Sequence, residues 1–190
     1  QHNASLDAEG LALEGFTTQF SVEPTEVLSV KVDYLHSAAA ATSRATRAYT
    51  FSLHVYRLGF YAGLGARLVG TVPVSIDEKA AHVHERHTFL GHESKLWLHS
   101  QPECSFAEQT STVDCSNWQP SASWTVPPEA VTGVYLAIPQ ATPQDANGTL
   151  ATIRGHAIPF VVRLAARDAG SALLVKTSDL TWVAYNKYGG

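Results

Sequence analysis

Residues 49–58 read YTFSLHVYRL. Tyr49, Phe51, Leu53 and Val55 fall on one face of an extended chain, and Thr50, Ser52, His54 and Tyr56 on the other. Period two marks a half-buried strand, because successive side chains of an extended backbone point to opposite sides. VLSVKVDYL (27–35) repeats the pattern, with Leu28, Val30, Val32 and Tyr34 aligned. Further β-type runs are FTTQFSV (16–22), ARLVGTVPVS (66–75), LWLHS (96–100), SASWTVP (121–127), TGVYLAIPQ (132–140) and AIPFVVRLA (157–165). SAAAATSRATRA (37–48) reads either as a short helix, on its alanines, or as a loop, on its Ser and Thr content. Short strands with turn signals between them and few helical patterns predict an immunoglobulin-like antiparallel β-sandwich over 15–167, preceded by an N-terminal arm at 1–14.

Composition narrows the function classes. The chain has 190 residues, a net charge of −4 and 16 % charged residues. That balance offers no electrostatic reason to bind nucleic acid or an anionic membrane. No window of about 18 apolar residues exists, so membrane insertion is not expected. There is no Met, even at position 1, which suggests a processed chain. Asn3 and Asn147 head N-glycosylation sequons, and Cys104 and Cys115 are spaced for one local disulfide. Together these predict a secreted or extracellular protein whose signal peptide has been removed.

The pattern changes near residue 168. A hydrophilic break, RDAG (167–170), is followed by the unbroken apolar run ALLV (172–175) and then by TWVAYNKYGG (181–190). Unbroken β-type runs suit a strand buried on both faces, as in a parallel α/β sheet. Residues 168–190 therefore read as the first strand and loop of an α/β domain completed by other polypeptide.

Four stretches invite chemical readings. His82, His84, His87 and His92 crowd into HVHERHTFLGH, where a metal site competes with an exposed edge strand; Glu85 and Arg86 favour the edge strand. RLGFYAGLGARL (57–68) carries three glycines, but it leads into a strand and lacks a Walker lysine, so phosphate binding is disfavoured. It reads instead as a tight hairpin with glycines at positive φ, a domain-interface loop that presents Phe60 and Tyr61 to a neighbour. Arg57 and Arg67 flank it, suited to hold a carboxylate or backbone carbonyls. Trp97, Trp118 and Trp124 are either packing residues or sugar-stacking platforms. Neither G-x-S-x-G nor H-E-x-x-H occurs, and no catalytic residue is singled out.

Five stretches in order, EGFTTQFSVEPTE, VYRLGFYAGLGARLV, WTVPPEAVTGVYLA, IPFVVR and LLVKTSDLTWVAYNKYGG, resemble the C-terminal region of the N,N-dimethylformamidase large (beta) subunit and its relatives. The resemblance runs from about Glu14 to Gly190. Two family glycines are replaced: the Pro-Gly turn is Pro24-Thr25, and the first of the paired glycines after the tyrosine is Ala62. The resemblance implies an immunoglobulin-like domain leading into a glutamine amidotransferase-like α/β domain. It further implies a mononuclear iron held by two tyrosines and a glutamate, acting in amide hydrolysis. Tyr185 is the best match to one ligand and Tyr188 the second, the others lying outside this chain. Its partner would be the remaining polypeptide of the precursor or a second subunit, in an oligomer. The rival expectation is a secreted structural or adhesive β-sandwich protein with no catalytic activity.

Overall fold

The computed structural model describes residues 11–37, 48–77, 82–87, 94–144, 151–164, 175–178 and 181. Their strands are β1 (Leu11–Thr17), β2 (Ser21–Val22), β3 (Val27–Ser37), β4 (Tyr49–Leu58), β5 (Ala66–Pro73), β6 (His82–His87) and β7 (Ser94–His99). They continue with β8 (Ser105–Ala107), β9 (Thr112–Asp114), β10 (Ala122–Thr125), β11 (Gly133–Pro143), β12 (Ile153–Arg154) and β13 (Ile158–Val162).

One sheet runs β1-β3-β7-β6, with β10 also on β3. The long β3 serves two neighbours on its second flank, pairing 27–30 with β10 and 35–37 with β7. The other large sheet runs β2-β13-β11-β4-β5, with β12 on β11. Pairing is antiparallel throughout these sheets except between β2 and β13, which run parallel. A third, two-stranded sheet joins β8 to β9.

The two large sheets share one hydrophobic core. Leu13, Leu28, Val30, Val32 and Tyr34 from the first meet Leu53, Val55, Tyr135 and Phe160 from the second. The alternation in β4 is realised as read: Tyr49, Phe51, Leu53 and Val55 are buried, while Thr50 faces out. Trp124 of β10 closes the core, packed 5.8 Å edge-on against Phe160 and 6.1 Å from Tyr135. Its indole also explains Gly70 of β5, where an added Cβ would stand 2.7 Å from Trp124 Nε1. Leu35, between inward-facing neighbours, belongs to a second buried cluster with Ala12 and Trp97.

Several elements differ from the sequence reading. Residues 11–14, assigned to the arm, pair with 33–36 of β3, and Leu13 and Glu14 are buried. FTTQFSV is two strands in different sheets, because the chain crosses the core between Thr17 and Ser21. That crossing has no Gly or Pro to announce it; backbone bonds from Thr18 to Ser29 and from Val161 to Phe20 fix it. The Ser/Thr-rich stretch between the cysteines forms the β8–β9 hairpin, and Cys104 is bonded to Cys115. The candidate helix or loop at 37–48 lies almost wholly outside the described residues. So does the expected α/β start at 168–190, apart from 175–178 and Thr181.

Candidate functional site

The hairpin that joins β4 to β5 is the most strongly shaped exposed feature among the described residues. Tyr61, Ala62 and Gly63 have φ of +39°, +56° and +91°, and Gly65 follows at +76°. All four lie in the left-handed region that glycine tolerates and other residues resist. The turn is held shut by backbone bonds from Gly59 to Gly65 O (3.0 Å) and from Gly63 to Phe60 O (2.7 Å). Shape is bought here at the expense of strain, and the result lifts Phe60 and Leu64 into solvent, 82 % and 81 % exposed.

Arg57 is the staple. Its Nη1 donates to the Tyr61 hydroxyl at 2.6 Å, its Nη2 to Thr132 O at 3.0 Å and its Nε to Val131 O at 3.3 Å. The guanidinium fork thus ties the hairpin to the loop that enters β11. Tyr135 donates its hydroxyl to the same Val131 carbonyl at 2.6 Å. Burial pushes the Tyr135 phenol above its ordinary pKa, and the Arg57 cation beside it works in the opposite direction. The Arg67 guanidinium sits 5.1 Å from the Tyr61 ring centroid, on a ring that Arg57 also approaches at 5.9 Å. Of the two outcomes expected for the arginines, Arg57 takes backbone carbonyls, and Arg67 keeps its donors free among the described residues.

Strand order puts the exit of β13 beside this hairpin. Gly133 pairs with Val162, and Tyr135 pairs with both Phe160 and Arg57. With strands about 4.8 Å apart, the chain leaving Val162 starts two strands, about 10 Å, from β4. Arg163 anchors that exit, its Nη1 2.5 Å from Glu23 Oε1 and its backbone N–H bonded to Val22 O. The Glu23–Glu26 turn that supplies the carboxylate has Pro24 at its second position and Thr25 at φ +73°. This is type II geometry, which ordinarily takes glycine at that third position.

A second constellation lies within the first sheet. Asp33 and His99 are buried, with His99 Nδ1 2.5 Å from Asp33 Oδ2. Asp33 Oδ1 accepts from Ser100 N, Ser100 Oγ and Gln101 N at 3.0–3.1 Å. Gln101 in turn donates to Val32 O and Gln119 O, and Ser121 Oγ donates to Val32 O. Ser100 donates to the aspartate and not to the histidine, so this trio lacks the nucleophile–base contact of a hydrolytic triad. It reads as a polar clamp joining β3, β7 and the entry to β10. No sequence motif signals it, because its members come together only through strand pairing.

The other expectations fall as follows. Trp118 packs 5.5 Å from Phe16 and donates Nε1–H to Pro102 O, while Trp97 and Trp124 are also buried. None of the three offers an open face for a sugar, which removes that reading. His82, His84 and His87 lie on β6, an edge strand of the first sheet, and His92 is outside the described residues. Among the described residues no three His, Cys, Asp or Glu are placed to hold a metal, and no helix is long and apolar enough to cross a membrane. Tyr185, Tyr188, Asn3 and Asn147 lie outside the described residues.

The described part is therefore a mainly β, two-layered protein whose exposed landmark is a preformed arginine-stapled hairpin beside the chain's exit from the core. The chain belongs to the family of N,N-dimethylformamidase beta subunit-like proteins, whose C-terminal part it matches over residues 52–190. The match begins later than the motifs near Glu14 suggest, and it covers both the hairpin and the terminal stretch. No curated protein matches in sequence. Two solved structures overlay only loosely. One is the Pseudomonas fluorescens alkylpurine DNA glycosylase AlkC bound to abasic-site DNA, at 8 % identity and TM-score 0.35 over 81 % of this chain and 30 % of that one. The other is AvmM, which catalyses macrocyclization in alchivemycin A biosynthesis, at 12 % identity and TM-score 0.31 over 87 % and 93 %. Overlays this weak carry no argument about function.

Proposed function

We propose that the chain is the β-rich part of a secreted, dimethylformamidase-like amide hydrolase, and that it scaffolds the catalytic α/β part. In this reading an immunoglobulin-like sandwich over 15–167 leads into an α/β domain that starts at 168–190. The remaining polypeptide of the precursor or a second subunit completes that domain, within an oligomer. The carrying observation is the family match across 52–190, which joins the shaped hairpin and the terminal stretch in one unit. The position of the β13 exit beside the hairpin supports it, because a domain that follows the sandwich would then start at the hairpin's end of the sheet. The formed Cys104–Cys115 disulfide supports an oxidising compartment.

Tyr185, with Tyr188 as the second candidate, would hold an iron ion in the completed site. Phenolate oxygen is a hard donor suited to iron, and a bound iron supplies Lewis-acid polarisation of an amide carbonyl. What the described residues contribute is placement: Arg163 fixes the exit of the chain, and Arg57 fixes the hairpin at the same end of the sheet.

The test is made on the native assembly. Purified intact, it should contain a second polypeptide or further segment, carry stoichiometric iron and release amine from a small N-substituted formamide. Tyr185→Phe should lower the iron content. A single 190-residue species with neither iron nor amide hydrolysis would leave the structural or adhesive reading in its place.

A further inference from the structure

The tip of the β4–β5 hairpin has two chemical components, and they fit a partner surface of one kind. Phe60 and Leu64 are almost fully exposed. Residues 57–68 contain Arg57 and Arg67 and no acidic residue. The two arginines are not equivalent. Arg57 spends its donors on Tyr61, Val131 and Thr132. Arg67 is exposed, lies 5.1 Å from the Tyr61 ring, and has no hydrogen bond or ion pair among the described residues. A guanidinium held near an aromatic ring keeps its planar fork oriented, and such a fork matches a carboxylate in two-point fashion.

We infer that Arg67 is a carboxylate receptor at a protein interface, and that the carboxylate belongs to an acidic residue set among apolar side chains on the α/β part. The inference rests on the function proposed above and adds the chemistry of the contact. Three observations select this occupant. The tip is convex and apolar, so it fits a protein socket and not a small anion. Arg67 is its available charge, so the complement is acidic. The chain leaves β13 about 10 Å from β4, at the hairpin's end of the sheet, so polypeptide that follows it is within reach of the tip. Exposed aromatic and arginine side chains grouped together are the residue types that dominate interface energetics.

A charge-preserving variant provides the test. Arg67→Lys keeps the cation and makes it reactive towards a neighbouring carboxylate under carbodiimide. In the native assembly the position-67 side chain should crosslink to an Asp or Glu of the α/β part. Arg67→Glu should weaken the association about 30-fold, the size of a hot-spot loss. A crosslink between two copies of this chain, seen in a mixture of isotopically distinct copies, would overturn the inference in favour of self-association. Assembly that survives Arg67→Glu unchanged, with no crosslink from position 67, would overturn it too. Both outcomes leave the enzymatic reading standing if the second polypeptide, iron and amide hydrolysis are present. Absence of those three would sink that reading whatever position 67 does.

Discussion

Thr25 and Ala62 stand where the resembling family carries glycine, and both have left-handed backbone, at φ +73° and +56°. At both positions a residue with a Cβ holds a backbone shape that glycine adopts without steric cost. An L-residue in that region costs about 1–2 kcal/mol, whereas glycine costs about 0.5–1 kcal/mol more than alanine in chain entropy. The first term wins by a small margin. Thr25→Gly and Ala62→Gly should each stabilise the chain by about 0.5–1 kcal/mol, read as a higher urea midpoint at unchanged slope. A lower midpoint would mean that the side chains supply more than the strain removes. Arg57 and Arg67 make a related point at the same scale. The sequence makes both fit to bind carbonyls or carboxylates, and only the fold separates their tasks, by bringing the 131–132 carbonyls to Arg57.

At the scale of elements, the polar clamp on β3 sets the sternest requirement. Asp33 is fully buried and accepts from His99, Ser100 and Gln101 together. Removing it leaves four donor groups, on His99, Ser100 and Gln101, without their acceptor, a loss of about 3–5 kcal/mol by analogy with breaking a buried ion pair. Asp33→Ala should therefore show greatly reduced resistance to urea, and a loss under about 1 kcal/mol would contradict the clamp. Most strands were legible. In β4, β10 and β13, and over Leu28, Val30, Val32 and Tyr34 of β3, a two-residue rhythm marks the face that lies in the core. Legibility failed where the cause was not local. The crossing between β1 and β2 has no turn residue, and β8–β9 sits in a polar stretch that pairs under a disulfide. The hairpin was legible from its glycines and flanking arginines, but the Asp33 clamp was not, because 66 residues separate Asp33 from His99.

At the scale of the whole molecule, the fold gathers three things at one end of the second sheet. The stapled hairpin, the loop entering β11 and the anchored exit of β13 all lie there. Holding Phe60 and Leu64 in water on a strained turn adds no stability to this sheet by itself. Covering them by a second domain returns the hydrophobic free energy, roughly 1.5–3 kcal/mol for each large apolar side chain. Under the proposed function this end of the sheet is an interface within a larger amide-hydrolase assembly. Its most direct test is amide hydrogen exchange over residues 59–65, compared between the native assembly and the 190-residue chain alone. If the hairpin is covered there, exchange should be about tenfold or more slower in the assembly. Equal exchange in the two would contradict it.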